Sequence, residues 1–147
     1  MISAHKVTLI LIVVFGVLLV ARAGGLYATY VLGDNHMNGL VPLFDFNEER
    51  SVPTWFSCWL LMMSAALLGV IATAQRAEGL PHLWWSVLAL VFVYLSLDEA
   101  LSFHERLNRP VRDLLGTGGA LYYAWVIPYA VFALVFFFFS LRPLRAP

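Results

Sequence analysis

Five ionisable residues stand between positions 98 and 106: Asp98, Glu99, His104, Glu105 and Arg106. Carboxylates joined by an imidazole are the donor set of zinc, iron or manganese; carboxylates alone suit calcium or magnesium. The same groups could supply a general base beside a metal or a path for protons or ions. They could equally form a neutralised polar network. What sharpens the choice is the run just before them, residues 83–97, which is apolar throughout most of its length. Charge at membrane depth is costly and is kept only with a partner or a task.

Helix geometry restricts the options. On a regular helix Asp98 and Glu105 lie only ~20° apart around the axis, about two turns from each other, with Ser102 on the same stripe. Glu99 flanks that stripe on one side and His104 on the other, so these two cannot grip one ion. The expected ligand set is Asp98 and Glu105 with Glu99 or His104, completed by Glu49 or His36 from an earlier connection. Candidate metal residues are therefore Asp98, Glu105, His104 and Glu49, with Arg22, Glu99 and Arg106 as ion-pair partners. The pattern lacks the paired Glu-x-x-His of di-iron bundles and the His-Glu-x-x-His of zinc proteases. A structural network is the competing reading. In it Arg22, Arg50 and Arg106 neutralise the acids, Ser96 and Ser102 add hydrogen bonds, and the charges fix helix register without catalysis. A proton path is disfavoured because the ionisable groups gather near one face.

The elements that must position these residues are membrane spans. The chain has 147 residues, 61% hydrophobic and only 12% charged, against about 25% charged in a soluble domain. Its mean hydropathy is +0.81. Formal net charge is zero, so there is no basic footprint for nucleic acid. A single cysteine, Cys58, excludes an internal disulfide and a Cys-x-x-Cys motif and reads as a small packing residue.

Four spans are expected, at about residues 7–32, 54–74, 83–107 and 121–141, in one transmembrane domain over 1–147. The first is long for a bilayer, so it would tilt or project; an alternative ends it at Arg22 and turns at Gly24-Gly25. Residues 7–21 also resemble a signal-peptide core, but apolar sequence continues beyond Arg22 and no clean cleavage site follows. Residues 35–53 mix acids with Leu40, Val41, Leu43, Phe44 and Phe46, as an interfacial segment does. Ser51 or Thr54 can cap the second span, with Pro53 in its first turn. Ser64, Ala65, Ala66 and Gly69 would let neighbouring helices approach closely. A short turn around Gly79 makes the second and third spans antiparallel neighbours. Asn108 to Asp113 is expected to break the third helix, Gly116 to Gly119 to be a flexible connector, and Pro128 to kink the fourth span.

Other chemistry-bearing residues favour ordinary roles. His5 and His82 sit near the opposite interface. Ser57, Ser64 and Ser102 lack a Gly-x-Ser-x-Gly elbow. Met62-Met63 reads as core packing rather than a copper site.

Four spans place both termini on one face. The positive-inside count is nearly tied, with Lys6, Arg76, Arg142 and Arg145 against Arg50, Arg106, Arg109 and Arg112, and with Arg22 near the second group. Arg50 and Arg106 stand beside carboxylates and act as counter-ions, which assigns the termini to the cytoplasm. Whatever the orientation, the first connection shares a face with the end of the third helix. Glu48, Glu49, Asp45 and His36 then lie on the side of Asp98 and Glu105. Arg22 also sits at the depth of Asp98, so a pairing of Arg22 with Asp98 or Glu99 is expected.

Glu49-Arg-Ser-Val-Pro-Thr-Trp-Phe-Ser57 and Ser96-Leu-Asp-Glu-Ala-Leu-Ser-Phe-His-Glu105 together resemble the paired motifs of an uncharacterised group of small bacterial multi-pass membrane proteins. The resemblance covers the second and third spans. It implies an inner-membrane location and a pairing of Glu49 with the third helix, and brings no activity with it.

The expected fold is an all-α integral membrane bundle of four transmembrane helices, with an interfacial segment between helices 1 and 2. Two functions stay open. One is a non-catalytic accessory or structural subunit of a membrane complex, bound to other subunits or to copies of itself. The other is a membrane-embedded metal enzyme, a hydrolase or oxidoreductase acting on a lipid, with Glu105 or Glu49 as base.

Overall fold

A computed structural model describes residues 3–116 and 123–144 of the chain. Helices α1 (Ala4–Tyr30), α2 (Leu40–Leu43), α3 (Val52–Ala77), α4 (Leu83–Leu101), α5 (Phe103–Arg106), α6 (Asn108–Leu115) and α7 (Val126–Leu144) follow in order, with a 3-10 turn at Met37–Gly39 before α2. There is no strand among the described residues. α1, α3 and α4 are each long and apolar enough to cross a membrane. In α7 the described apolar stretch, Val126–Phe138, is shorter than these. The protein is thus an all-α, multi-pass membrane protein. Side chains such as Val20, 73% exposed, and Leu90, 69% exposed, belong in lipid, because water would not tolerate that much open apolar surface.

The chain divides into two compact units, Met1–Trp59 and Leu60–Pro147. α3 gives its first turns to the first unit and the remainder to the second.

In the first unit, α1 runs unbroken through Gly24-Gly25, so the alternative turn at that pair does not form. Leu18, Gly25 and Ala28 are its buried residues, and Arg22 shares their stripe at helical spacing. Small residues there let the connection lie close. A methyl group on Gly25 would come to 3.7 Å from Val41 Cγ1, an ordinary contact. The connection returns through a tight turn. Asp34 Oδ1 accepts the amides of His36 at 2.9 Å and Met37 at 2.7 Å, and Met37, Asn38 and Gly39 all take positive φ. Asn tolerates that conformation and Gly is free in it; a Met there is held by its surroundings. Ser51 then caps α3. It is fully buried, and its Oγ accepts the Thr54 amide at 3.3 Å while Thr54 Oγ1 donates to the Glu48 carbonyl at 3.0 Å.

In the second unit, α3 ends in a Schellman turn. The Leu80 amide bonds the Gln75 carbonyl at 2.8 Å and the Gly79 amide bonds that of Arg76 at 3.2 Å, with Gly79 at φ +71°. This pattern satisfies orphan carbonyls at the helix end. Ala65 and Ala72 are buried seven residues apart on this part of α3, and Cys58, in the first unit, is buried as well. Ser64 is only partly buried and bonds back to the Leu60 carbonyl at 2.9 Å.

Three boundary expectations are corrected. The third span does not continue to residue 107. It stops at Leu101, because Ser102 adopts a left-handed conformation, φ 52° and ψ 42°. Residues 108–113 do not break a helix but form most of α6, with Pro110 in its first turn, where a missing amide costs nothing; Gly116 at φ +61° closes it. Pro128 likewise falls in the first turn of α7, so it marks a helix start rather than a mid-span kink. The connector expected at residues 116–119 lies, beyond Gly116, outside the described residues, as do Tyr122 and Arg145.

Candidate functional site

Asp98 is the buried acid of the second unit, only 5% exposed. It sits about 22 Å along α4 from Leu83 at 1.5 Å per residue. The helix ends one turn later. The left-handed Ser102 ends α4, and α5 begins beside the carboxylate that α4 has just presented. Asp98 Oδ1 accepts the His104 amide at 2.8 Å, and Oδ2 lies 3.1 Å from His104 Nδ1. One carboxylate thus satisfies a helix-start amide and a ring nitrogen. A carboxylate can only accept, so Nδ1 carries the proton in this bond.

Aromatic rings cover the pair. The His104 ring centroid is 4.6 Å from that of Trp125 and 6.4 Å from that of Tyr129. Trp125 and Tyr129 meet edge to face at 5.4 Å. Trp125 is tied down by its amide, which donates to Asn108 Oδ1 at 3.3 Å. Tyr129 joins its hydroxyl to that of Tyr94 at 2.9 Å. Ser96, two residues before the acid, is also buried. The resulting cluster is Asp98, His104, Trp125, Tyr129 and Tyr94. Beside it, α4 and α7 enclose an apolar groove of about 530 Å³.

The sequence placed Asp98 and His104 in the site and missed its aromatic half. The geometry that unites them is also not the one expected. A continuous helix would put His104 to the side of Asp98 and Glu105 beneath it. The break at Ser102 cancels that register. His104 turns onto Asp98 and Glu105 is exposed. Arg106 is exposed too, its guanidinium 5.6 Å above the Phe103 ring. Glu99 is half-buried. Among the described residues, no group of three or more His, Cys, Asp or Glu side chains is placed to hold a metal ion. This overturns the expected divalent centre of zinc, iron or manganese on Asp98, Glu105, His104 and Glu49.

The first unit holds a second charged pair. Arg22 Nη1 lies 2.7 Å from Asp45 Oδ2, both side chains about one-fifth exposed at 21% and 22%. Asp45 also accepts the Asn47 amide at 2.9 Å through Oδ1. The arginine that was matched by depth to Asp98 or Glu99 therefore finds its carboxylate in the returning connection. Glu49 is exposed in this unit, and His36 serves the turn through its backbone amide. The Asp34 carboxyl is held below the usual carboxylate range, chiefly by the Met37 amide and then by that of His36.

No curated protein and no solved structure matches the chain. Residues 9–146, nearly its whole length, match one family, a wider likeness than the two motifs of the second and third spans. The chain belongs to that family, described as a domain of unknown function (DUF8692).

Proposed function

We propose that the protein is a non-catalytic accessory or structural subunit of a membrane complex in a bacterial inner membrane. In this reading α7 is the fourth crossing, so residues 1–147 form one transmembrane domain with both termini in the cytoplasm. The observation that supports it best is how Asp98 is used. Both of its oxygens bind His104 of the same chain, so the acid is occupied in holding the α4–α5 break. Networks of this kind specify geometry. Arg22 is likewise engaged by Asp45, which removes it as a vote in the positive-inside count. The pairing of Glu49 with the third span belongs to the same proposal, as does association with other subunits or further copies. Extraction of the tagged chain from its own membrane in mild detergent tests it. The expected result is a stoichiometric assembly larger than the chain purified alone. A chain that behaves identically from both sources overturns it.

A second reading, an enzyme acting on a membrane substrate, is favoured by one geometric fact. Asp98 holds His104 by Nδ1, the arrangement that readies an imidazole as a base. Turnover of a lipid that is lost in His104→Gln, with the fold retained, would establish this reading over the first.

A further inference from the structure

α4 holds 19 residues, ~28 Å at 1.5 Å per residue, so its last residue reaches a face of the ~30 Å hydrocarbon core. Its lipid-facing surface stays apolar to the end, with Leu97 45% exposed and Leu101 50% exposed. α5 and α6 follow with no long connection, because Leu107 between them keeps a right-handed backbone. The Asn108 side chain at the start of α6 accepts the Trp125 amide just before α7. α6 thus begins at the membrane face where α4 ends.

Along α6 the residue types divide by angle. At ~100° per residue, Asn108, Arg109, Arg112 and Asp113 fall within ~140° of the circumference, and Pro110, Val111, Leu114 and Leu115 within another ~140°. The chain leaves the apolar side open at its far end, where Leu114 is 83% exposed and Leu115 52% exposed. These leucines continue the open apolar surface of α4. A helix so divided, leaving a span at the bilayer face, lies in the interface with its apolar side on the acyl boundary.

The polar side has the charge for head groups. Arg109 is exposed, as is Arg106 at the end of α5. Arg112 is half-buried and donates through Nε to the Asn108 carbonyl at 3.3 Å. Glu105 and Asp113 stand among them, so three guanidinium groups face two carboxylates and the excess is positive. Guanidinium matches phosphate oxygens in both charge and geometry.

We propose that α6 is an interfacial helix that binds anionic phospholipids, with Leu114 and Leu115 among the upper acyl chains and Arg106 and Arg109 on the phosphates. This inference goes beyond the accessory role and does not depend on it, since α4 ends at a bilayer face in either orientation.

The full chain in nanodiscs of phosphatidylcholine and phosphatidylglycerol tests the depth. Nitroxide labels are placed through Leu114→Cys and Arg109→Cys, each with Cys58→Ala, and read by power saturation. The label at position 114 should respond more to oxygen, which partitions into lipid, than to a water-soluble nickel chelate. The label at position 109 should respond more to the chelate. A label at 114 that favours the chelate puts α6 in water and overturns the proposal. One closed to both reagents puts a protein against it and does the same. Lipid choice is read without any cysteine change, by native mass spectrometry with the two lipids supplied equally and in matched acyl chains. Wild type should retain phosphatidylglycerol about fivefold over phosphatidylcholine, the effect of about one net basic residue near the surface. Arg106→Gln together with Arg109→Gln should remove that preference, and added salt should weaken it. Equal retention by wild type, or a preference that survives the double substitution, overturns the proposal. Circular dichroism of each variant confirms that it is folded.

Discussion

Each of the two units neutralises a charge that a membrane helix would otherwise carry alone, and they do so by opposite means. In the first, Arg22 on α1 stays in an unbroken helix and the chain brings Asp45 to it across a turn of strained residues. In the second, Asp98 on α4 is satisfied from six residues away because the helix itself stops. A cation on a long side chain can wait for a distant partner and reach toward it. A short, buried carboxylate has no such reach, and the nearby backbone has to come to it. The difference predicts that the acid is tied to local secondary structure and the arginine to the long-range fold.

The sharpest test of that contrast is Asp98→Ala. It leaves the His104 amide and ring without their acceptor, so stability in detergent should fall by about 3 kcal/mol, and α5 should lose protection in hydrogen exchange while α1 and α2 do not. An unchanged α5 would break the comparison. Arg22→Ala should cost less, about 1–2 kcal/mol, because both partners are partly exposed and Asp45 can recover solvent. Its loss of protection should fall on residues 34–45. Thermal unfolding of the two variants side by side reads the difference. Ser102→Gly should raise stability by about 0.5–1 kcal/mol, since Gly adopts the left-handed turn without the side-chain penalty. A fall instead would mean that the Ser102 hydroxyl matters more than its backbone.

The smallest effect concerns Asp34, an exposed residue. The Met37 and His36 amides hold its carboxyl below the usual carboxylate range. A depressed acid contributes stability that is present above its unfolded pKa and is lost as pH falls through the folded one. Acidification below pH ~4 should therefore loosen the turn at residues 34–39. Amide shifts of His36 and Met37 report it, and Asp34→Asn should move the transition out of the acid range. A turn that opens only together with global unfolding would remove the local reading.

The two units also differ in how much of them was legible. The apolar runs announced α1, α3 and α4, because a bilayer demands length and low charge and leaves few other solutions. Ser51 and Pro53 marked the start of α3 by chemistry that needs no tertiary context. Asp98 stood out as a charge after an apolar run. The break at Ser102 did not, since serine carries no strong left-handed preference and no Gly or Pro stands near it. Once that break was missed, helical periodicity assigned Glu105 to the site and set His104 aside from Asp98, and a metal centre followed from the wrong register. Trp125 and Tyr129 were out of reach for a different reason. Trp125 stands just before α7 and Tyr129 in its first turn, and no local pattern links them to α4. The Arg22–Asp45 pair was concealed because depth alone matched Arg22 to the wrong acid.

The separation of partners along the chain also sets an order in time. At a synthesis rate of about 5–20 residues per second, residues six apart emerge within ~0.3–1.2 s of each other, whereas residues 20–30 apart differ by ~1–6 s. His104 follows Asp98 by the shorter interval, while Asp45 follows Arg22, and Trp125 follows Asp98, by the longer one. Asp98 thus meets its first partner while α4 is still being laid into the bilayer, whereas Arg22 spends the early life of α1 unpaired. Insertion of the first helix is accordingly the step most exposed to a slow or paused ribosome.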